Sequence, residues 1–415
     1  MDKKDTSKQS LMEVVELSAY TTPRIVIDTK NEWASYGSNN NYFQDLIDYY
    51  KGSTTSSSII NGLSGLIYGS GLDARDSNKK PEMWAEINSI VRAKDLKKII
   101  FDRKLLGMAA MQIVYKNKKV KSIKHFPMNT LRAEKANDDG EIQGYYWSND
   151  WTSVKKDDEP NRMPAYGFGN KIKSEIYIVK PYVTGEFYYT QPDYAGSLPY
   201  CELESQIGDY LINDVRNGFS GSLMINFNNG VPDKQTQRMT NNKVVRKFTG
   251  ATGDKLLFNY NKSAESATTI ERLALDNAPD HYAYLSNECR DKIIVGHRIT
   301  SPLLLGIRES GSGFGSNSDE IETASLLLDK VVVQGFQEEL VDAINEVVAE
   351  NGISLDLYFK TLLPRDFRDE ETILEEKKEK TEKEREVSEN LSSEIDQLLS
   401  STPPIEINPN NTKNI

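Results

Sequence analysis

The first 40 residues are polar with few periodic apolar positions; apolar residues then recur at three- and four-residue steps to about residue 115, at two-residue steps from about 119 to 198, and at helical steps again after 200. Phe43, Leu46, Ile47 and Tyr50 fit one face of a first helix. The polar run KGSTTSSS breaks that pattern, and SSIINGLSGLIYGSGL then reads as a buried helix stopped by Gly69 and Gly71. A longer helical region is predicted from Pro81 to Tyr115, through Trp84, Ile87, Ile90, Leu96, Ile99, Ile100, Leu105 and Leu106. KVKSIKHF, GEIQGYYW, SEIYIVKPYV and GEFYYT, separated by Asn, Asp, Gly and Pro, read as strands whose tyrosines pack a sheet.

Residues 201–218 read as a helix, with Leu203, Ile207, Leu211 and Val215 at four-residue steps and Asn217 and Gly218 at its end. SLMINF, KLLFNYN and TTIERLAL read as strands, and a helix is predicted between the first two, from Pro232 through DKQTQRMTNNKVVRKF. They make a small mixed module, 219–275, between two helices. The second helix starts at Asn277 and Pro279, carries Tyr282, Leu285, Cys289, Ile293 and Gly296 on one face, and ends near Thr300, because Pro302 forces its predecessor into extended geometry. A polar, glycine-rich stretch follows, TSPLLLGIRESGSGFGSNSDEIETA, out of which Ser318, Asp319 and Glu320 open a long helix. Its apolar stripe is read as Ile321, Ala324, Leu328, Val331, Phe336, Leu340, Ile344 and Val347, and its acidic face as solvated. SLDLYFKTLLP is a last strand, EETILEEKKEKTEKEREVSEN an exposed charged helix, and NPNNTKNI a disordered tail.

A chain of 415 residues holds about two or three domains. With 51 basic and 62 acidic residues its net charge is −11, which argues against a protein that coats nucleic acid with a broadly basic surface, though not against one past which DNA slides. Cys201 and Cys289 have no CxxC spacing, and a reducing compartment follows. Without an eighteen-residue apolar run or a signal-peptide core in MDKKDTSKQS, the expectation is a soluble chain made in a cytoplasm, with no membrane partner.

The glycine stretch invites a phosphate-binding reading, because helix N-termini hold anions. Gly306 and Gly311 have the spacing of a phosphate loop, but Ser312 and Gly313 stand where lysine and a hydroxyl residue are required. Gly311, Gly313 and Gly315 give GxGxG after a helix, not GxGxxG after a strand. His125, His281 and His297 lack ligand partners at metal spacing, and there is no GxSxG elbow. No catalytic residue, metal or cofactor is expected.

The order helix, mixed module, helix, glycine loop and long helix, together with GHRITSPLLLGIRESGSGFGSNSDEIETA, resembles the portal proteins of tailed bacteriophages. Pro302, Leu303, Leu304 and Gly306 match the family's helix-to-loop element, and Phe314, Asn317 and Glu320 its tunnel loop and tunnel-helix start. The resemblance implies an α+β portal-type subunit: an N-terminal arm (1–40), a wing (41–199), a stem helix (200–218), a clip (219–275), a second stem helix (276–300), a tunnel loop (301–318), a tunnel helix with the rest of the wing (319–368), and a crown-like charged helix with a tail (369–415). It also implies a homododecameric ring at one capsid vertex, assembled in the host cytoplasm, through which double-stranded DNA is packaged and ejected. The terminase large subunit, a head–tail adaptor, the major capsid protein and scaffold would be its partners. Tunnel-loop residues Arg308, Ser310, Ser312, Phe314, Ser316 and Asn317 are then candidates for DNA contact, with Glu320, Glu322 and Lys330 on the tunnel helix. Two other readings stay open: a soluble enzyme with a mobile lid at 306–318, and another oligomeric virion protein.

Overall fold

The computed structural model describes residues 23–154, 159–216, 222–227, 235, 236, 239, 256–260, 269–273, 278–305 and 318–362. They form a mixed helix-and-sheet fold. Helices α1 (Tyr42–Gly52) and α2 (Thr54–Tyr68) meet at Ser53, whose side chain accepts from the Ser56 N–H and caps α2. The serine run read from sequence as a break is therefore the first turn of α2. The predicted helix over 81–115 is three elements: α3 (Pro81–Ile90), α4 (Ala93–Leu106) and a strand over 109–116. Val91 is extended and bridges Ile123, which ends α3; Gly107, at φ 81°, ends α4.

β1 (Ile25–Val26) pairs with β2 (Ser35–Tyr36), and Ala34 and Tyr36, from a stretch whose sequence reads as polar, are buried in the core. β3 (Leu72–Ala74) pairs with the last strand. β4 (Ala109–Lys116) is the centre of an antiparallel sheet between β5 (Lys119–Phe126) and β9 (Ser174–Val179); β6 (Leu131–Ala133), β7 (Gly144–Trp147) and β8 (Asn161–Pro164) form a second. GEFYYT is not a strand: Tyr189 and Tyr194 are instead buried pins. Tyr189 accepts from the Ala133 N–H and donates to the Ala34 carbonyl (2.6 Å), and Tyr194 donates to the Leu105 carbonyl (2.7 Å).

Beyond α5 (Leu198–Arg216), β10 (Ser222–Phe227) lies between a parallel β11 (Leu256–Tyr260) and an antiparallel β12 (Thr269–Leu273). The helix predicted from Pro232 falls largely outside the described residues. After α6 (Ala278–Gly296) come a 3-10 turn (Pro302–Leu305) and the long helix: α7 (Ser318–Leu328), a π turn (Asp329–Val333) and α8 (Gln334–Ala349). β13 (Leu357–Phe359), shorter than predicted, pairs with β3 and closes the described chain. One core cluster gathers α2, α4, β4 and α8 around Ile59, Leu63, Ile99, Met111, Leu340 and Ile344; a second lies around Phe43, Leu46, Ile60, Leu106, Met128 and Tyr189.

Candidate subunit interface

α5 and α6 pack antiparallel. Tyr210 stacks on Tyr282 at one end (centroids 4.5 Å, planes 26° apart), and at the other Gly296 lies so close to Ser197 that an added Cβ would fall 2.5 Å from its Cβ. α6 ends in a Schellman motif: Ile299 N–H to the Ile294 carbonyl, Arg298 N–H to the Val295 carbonyl. Arg298 occupies the left-handed position at φ 58°, where glycine is the usual residue. Its guanidinium reaches the Asp193 carboxylate (2.9 Å).

That carboxylate belongs to a buried joint that sequence reasoning missed. Lys104, with no exposed side-chain surface, donates to both Asp193 oxygens (2.8 and 3.0 Å). Burial works to raise the Asp193 carboxyl, but Lys104 and Arg298 outweigh it and hold it below the usual range. His297 is fully buried, its Nε2 3.2 Å from Ser56 Oγ and its ring stacked on Tyr194. Burial, and then the nearby Lys104 charge, push its pKa well below the ordinary value. Beside it burial pushes the Cys201 thiol up to about 11. Glu204 of α5 accepts from Ser53 Oγ, Thr54 Oγ1 and Thr55 Oγ1, placing a carboxylate at the positive end of α2. The joint thus fastens the α5–α6 pair to α2 and α4, and its sequence signal was only polar residues scattered over separate helices.

The Pro302–Leu305 turn lies against α2 and α7. Thr300 Oγ1 donates to the Ala324 carbonyl (2.7 Å), and Leu305 presses on Gly62, where a Cβ would meet its Cδ2 at 2.7 Å. Leu303 is exposed; Leu304 lines a cavity of about 190 Å³ with Leu66, Ile321, Leu328 and Val333. Gly306, Arg308, Ser310, Ser312, Phe314, Ser316 and Asn317 lie outside the described residues. Glu320 stands in the first turn of α7, and Glu322 and Lys330 are exposed on the long helix, at separate positions rather than as a cluster. Among the described residues no group of His, Cys, Asp and Glu could hold a metal ion.

The apolar stripe of the long helix differs from its sequence reading at one place. Val331 is 58% exposed, while Val332 and Val333 are buried. The cause is the π turn: Gln334 N–H reaches the Asp329 carbonyl, five residues back, so one extra residue enters the turn and offsets the faces on either side. Val331 consequently joins Leu326 and Leu327, 44% and 53% exposed. Tyr210, Leu211 and Ile212 on α5 and Tyr284 and Val295 on α6 are also exposed.

No protein-family model matches the sequence, and no curated protein matches it. Among solved structures, a chain from the neck of an empty gene transfer agent particle, computed with C6 symmetry, aligns over 77% of this chain and 84% of its own, with 12% identity and a TM-score of 0.52. A chain from the virion of a native gene transfer agent particle covers 87% and 94% (11% identity, TM-score 0.49). An HK97 family phage portal protein from Corynebacterium diphtheriae covers 74% and 92% (9% identity, TM-score 0.45). At these identities the likeness is one of fold alone, carried by the neck chain at a TM-score of 0.52.

Proposed function

We propose that this chain is a phage portal subunit, a non-enzymatic homododecameric ring at one capsid vertex through which the genome enters and leaves. The observation that carries the reading is the set of large apolar side chains left in solvent on three helices: Leu326, Leu327 and Val331, with Tyr210, Leu211 and Ile212 on α5 and Tyr284 on α6. Grouped apolar surface of this kind marks an association face. A closed ring sets one face of each subunit against a different face of the next. The α5–α6 pair and the long helix supply such faces on different elements.

In this reading α5 and α6 are the stem and 219–275 is the clip that docks the terminase large subunit and later the head–tail adaptor. Residues 301–318 are the tunnel loop, 319–350 the tunnel helix, and 369–415 the crown-like region. The major capsid protein and scaffold surround the ring. An acidic chain suits a conduit for DNA, since each phosphate neutralised by a wall cation adds affinity and so resistance to sliding.

Electron microscopy of the purified full-length chain, with its mass in solution, tests the reading. Rings with an axial hole wide enough for a duplex are the expected result. A compact monomer or dimer at high concentration would overturn it and favour a lid-bearing enzyme. In a packaging assay, Arg308→Ala should reduce packaging or retention with rings intact; normal packaging would remove Arg308 from the mechanism.

A further inference from the structure

Helix α4 and the β4–β5 hairpin concentrate positive charge that the whole-chain balance hides. Residues 91–126 contain eleven Lys and Arg against two Asp, in a chain whose net charge is −11. Both acids are occupied, Asp95 accepting from the His125 N–H and Asp102 meeting His125 Nε2 at 2.8 Å. Two of the cations, Arg103 and Lys104, are buried and bound to Glu339 and Asp193. The other nine are exposed, and none forms an ion pair among the described residues.

Their arrangement follows from the backbone. On α4, Lys94, Lys97 and Lys98 stand at i, i+3 and i+4 and share one face, turned away from buried Leu96, Ile99 and Ile100. On β5 the register slips between Val114 and Tyr115 and leaves Lys121 as the extra residue of a bulge. The bulge allows Val120 and Ile123, three apart, both to be buried, so that Lys119, Lys121 and Lys124 are exposed. At the hairpin tip Asn117 and Lys118 both have positive φ, 54° and 61°, in a turn where Asn-Gly is the favoured pair. A lysine therefore stands at the tip at a backbone cost. The Val91–Ile123 bridge and the bond from the His125 N–H to Asp95 hold the start of α4 alongside β5, and Lys97 of α4 lies over the Tyr68 ring at 4.6 Å.

We infer that these exposed lysines of α4 and the β4–β5 hairpin bind the phosphate backbone of duplex DNA without reading its sequence. Lysines on an edge strand also discourage sheet-to-sheet pairing, but that role accounts for β5 alone and not for α4 or the tip. A protein partner fits poorly: residues 91–126 expose no large apolar side chain to anchor one, and lysine is depleted in such interfaces. Eight of these nine exposed cations are lysines, point charges suited to phosphates rather than the bidentate arginines that read base edges. The inference stands on charge and backbone geometry and does not need the ring.

The test is fluorescence anisotropy of a labelled duplex of arbitrary sequence with the full-length chain, over a series of salt concentrations. Each phosphate contact contributes roughly 0.9 to the log–log salt slope, so K116Q/K118Q/K119Q/K121Q should flatten it by about 3 to 4 and weaken low-salt binding by about a hundredfold. K94Q/K97Q/K98Q should act in the same direction. Unchanged slopes in both variants, with circular dichroism unaltered, would overturn the inference, as would binding of poly-glutamate in preference to the duplex, which would assign these lysines to an acidic protein. The mass of each variant is measured alongside: intact rings that fail to bind the duplex sink this inference and leave the portal reading standing, whereas binding by a chain that forms no ring does the reverse.

Discussion

His297 lies flat against Tyr194, ring centroids 4.2 Å apart and planes 19° apart, where the end of α6 meets α2 and α4. The imidazole is walled in by groups from several elements: Ser56 of α2 at Nε2, the Lys104–Asp193 pair, and the Cys201 thiol near Ser56 and Tyr194. Its Nδ1 has no hydrogen-bond partner among the described residues. Protonation would place a second cation beside Lys104 with no carboxylate of its own.

Acid should therefore loosen this joint. The folded pKa of His297 is lowered, so its contribution to stability is complete above the unfolded value, roughly 6.5, and is lost as pH falls below that value towards the folded pKa. Denaturant titrations at a series of pH values should show stability falling below about pH 6.5. His297→Gln should flatten that dependence; an unchanged slope would mean that other groups set it.

Asp193 and Lys104 should be unequal in mutation. Asp193→Asn strands a fully buried ammonium and should cost about 3 to 5 kcal/mol. Lys104→Met removes that charge and leaves Asp193, partly exposed, with Arg298. Its cost should be smaller, on the order of 1 kcal/mol or less. Urea midpoints of the two variants decide it.

Lys118→Gly should stabilise the chain, since a non-glycine residue at φ 61° carries a penalty on the order of 1 kcal/mol. A raised melting temperature accompanied by weaker duplex binding is the expected pair of results. A melting temperature that does not rise would mean the turn is not strained.

Leu327→Glu and Val331→Glu place charges on exposed apolar positions of the long helix, 53% and 58% exposed. Sedimentation should show lighter species with unchanged circular dichroism. Leu328→Ala, one residue away but 1% exposed, should instead cost about 2 to 5 kcal/mol of fold stability. Rings that survive both glutamate substitutions would move the subunit contact to other elements.

The long elements were legible because their ends are written locally. Asn217 and Gly218 follow α5, Pro279 opens α6, and Ser318 with two acids starts α7. What escaped depends on residues far apart in sequence. The Ser53–Ser58 run looks like a breaker until Glu204, some 150 positions on, is seen to accept from Ser53, Thr54 and Thr55 at the start of α2. Val331 was assigned inward because an unbroken period of 3.6 carries it there, and nothing local announces a π turn. The lysines of 91–126 vanished into a sum over 415 residues, since a net charge is blind to where its terms sit. Arg308 and the other residues of 306–317 in the predicted loop lie outside the described residues.

The extra residue at 329–333 makes the long helix two segments whose faces are phased separately. α8 is locked in rotation by Phe336, Leu340, Ile344 and Val347, all buried, so the bearing of α7 is a setting made at the π turn. Removing one residue there would turn everything upstream by about 100°, swinging Leu326 and Leu327 off their present bearing while leaving the core of α8 untouched. The outer surface of this helix could thus diverge between relatives by a single deletion, with no change of a buried side chain.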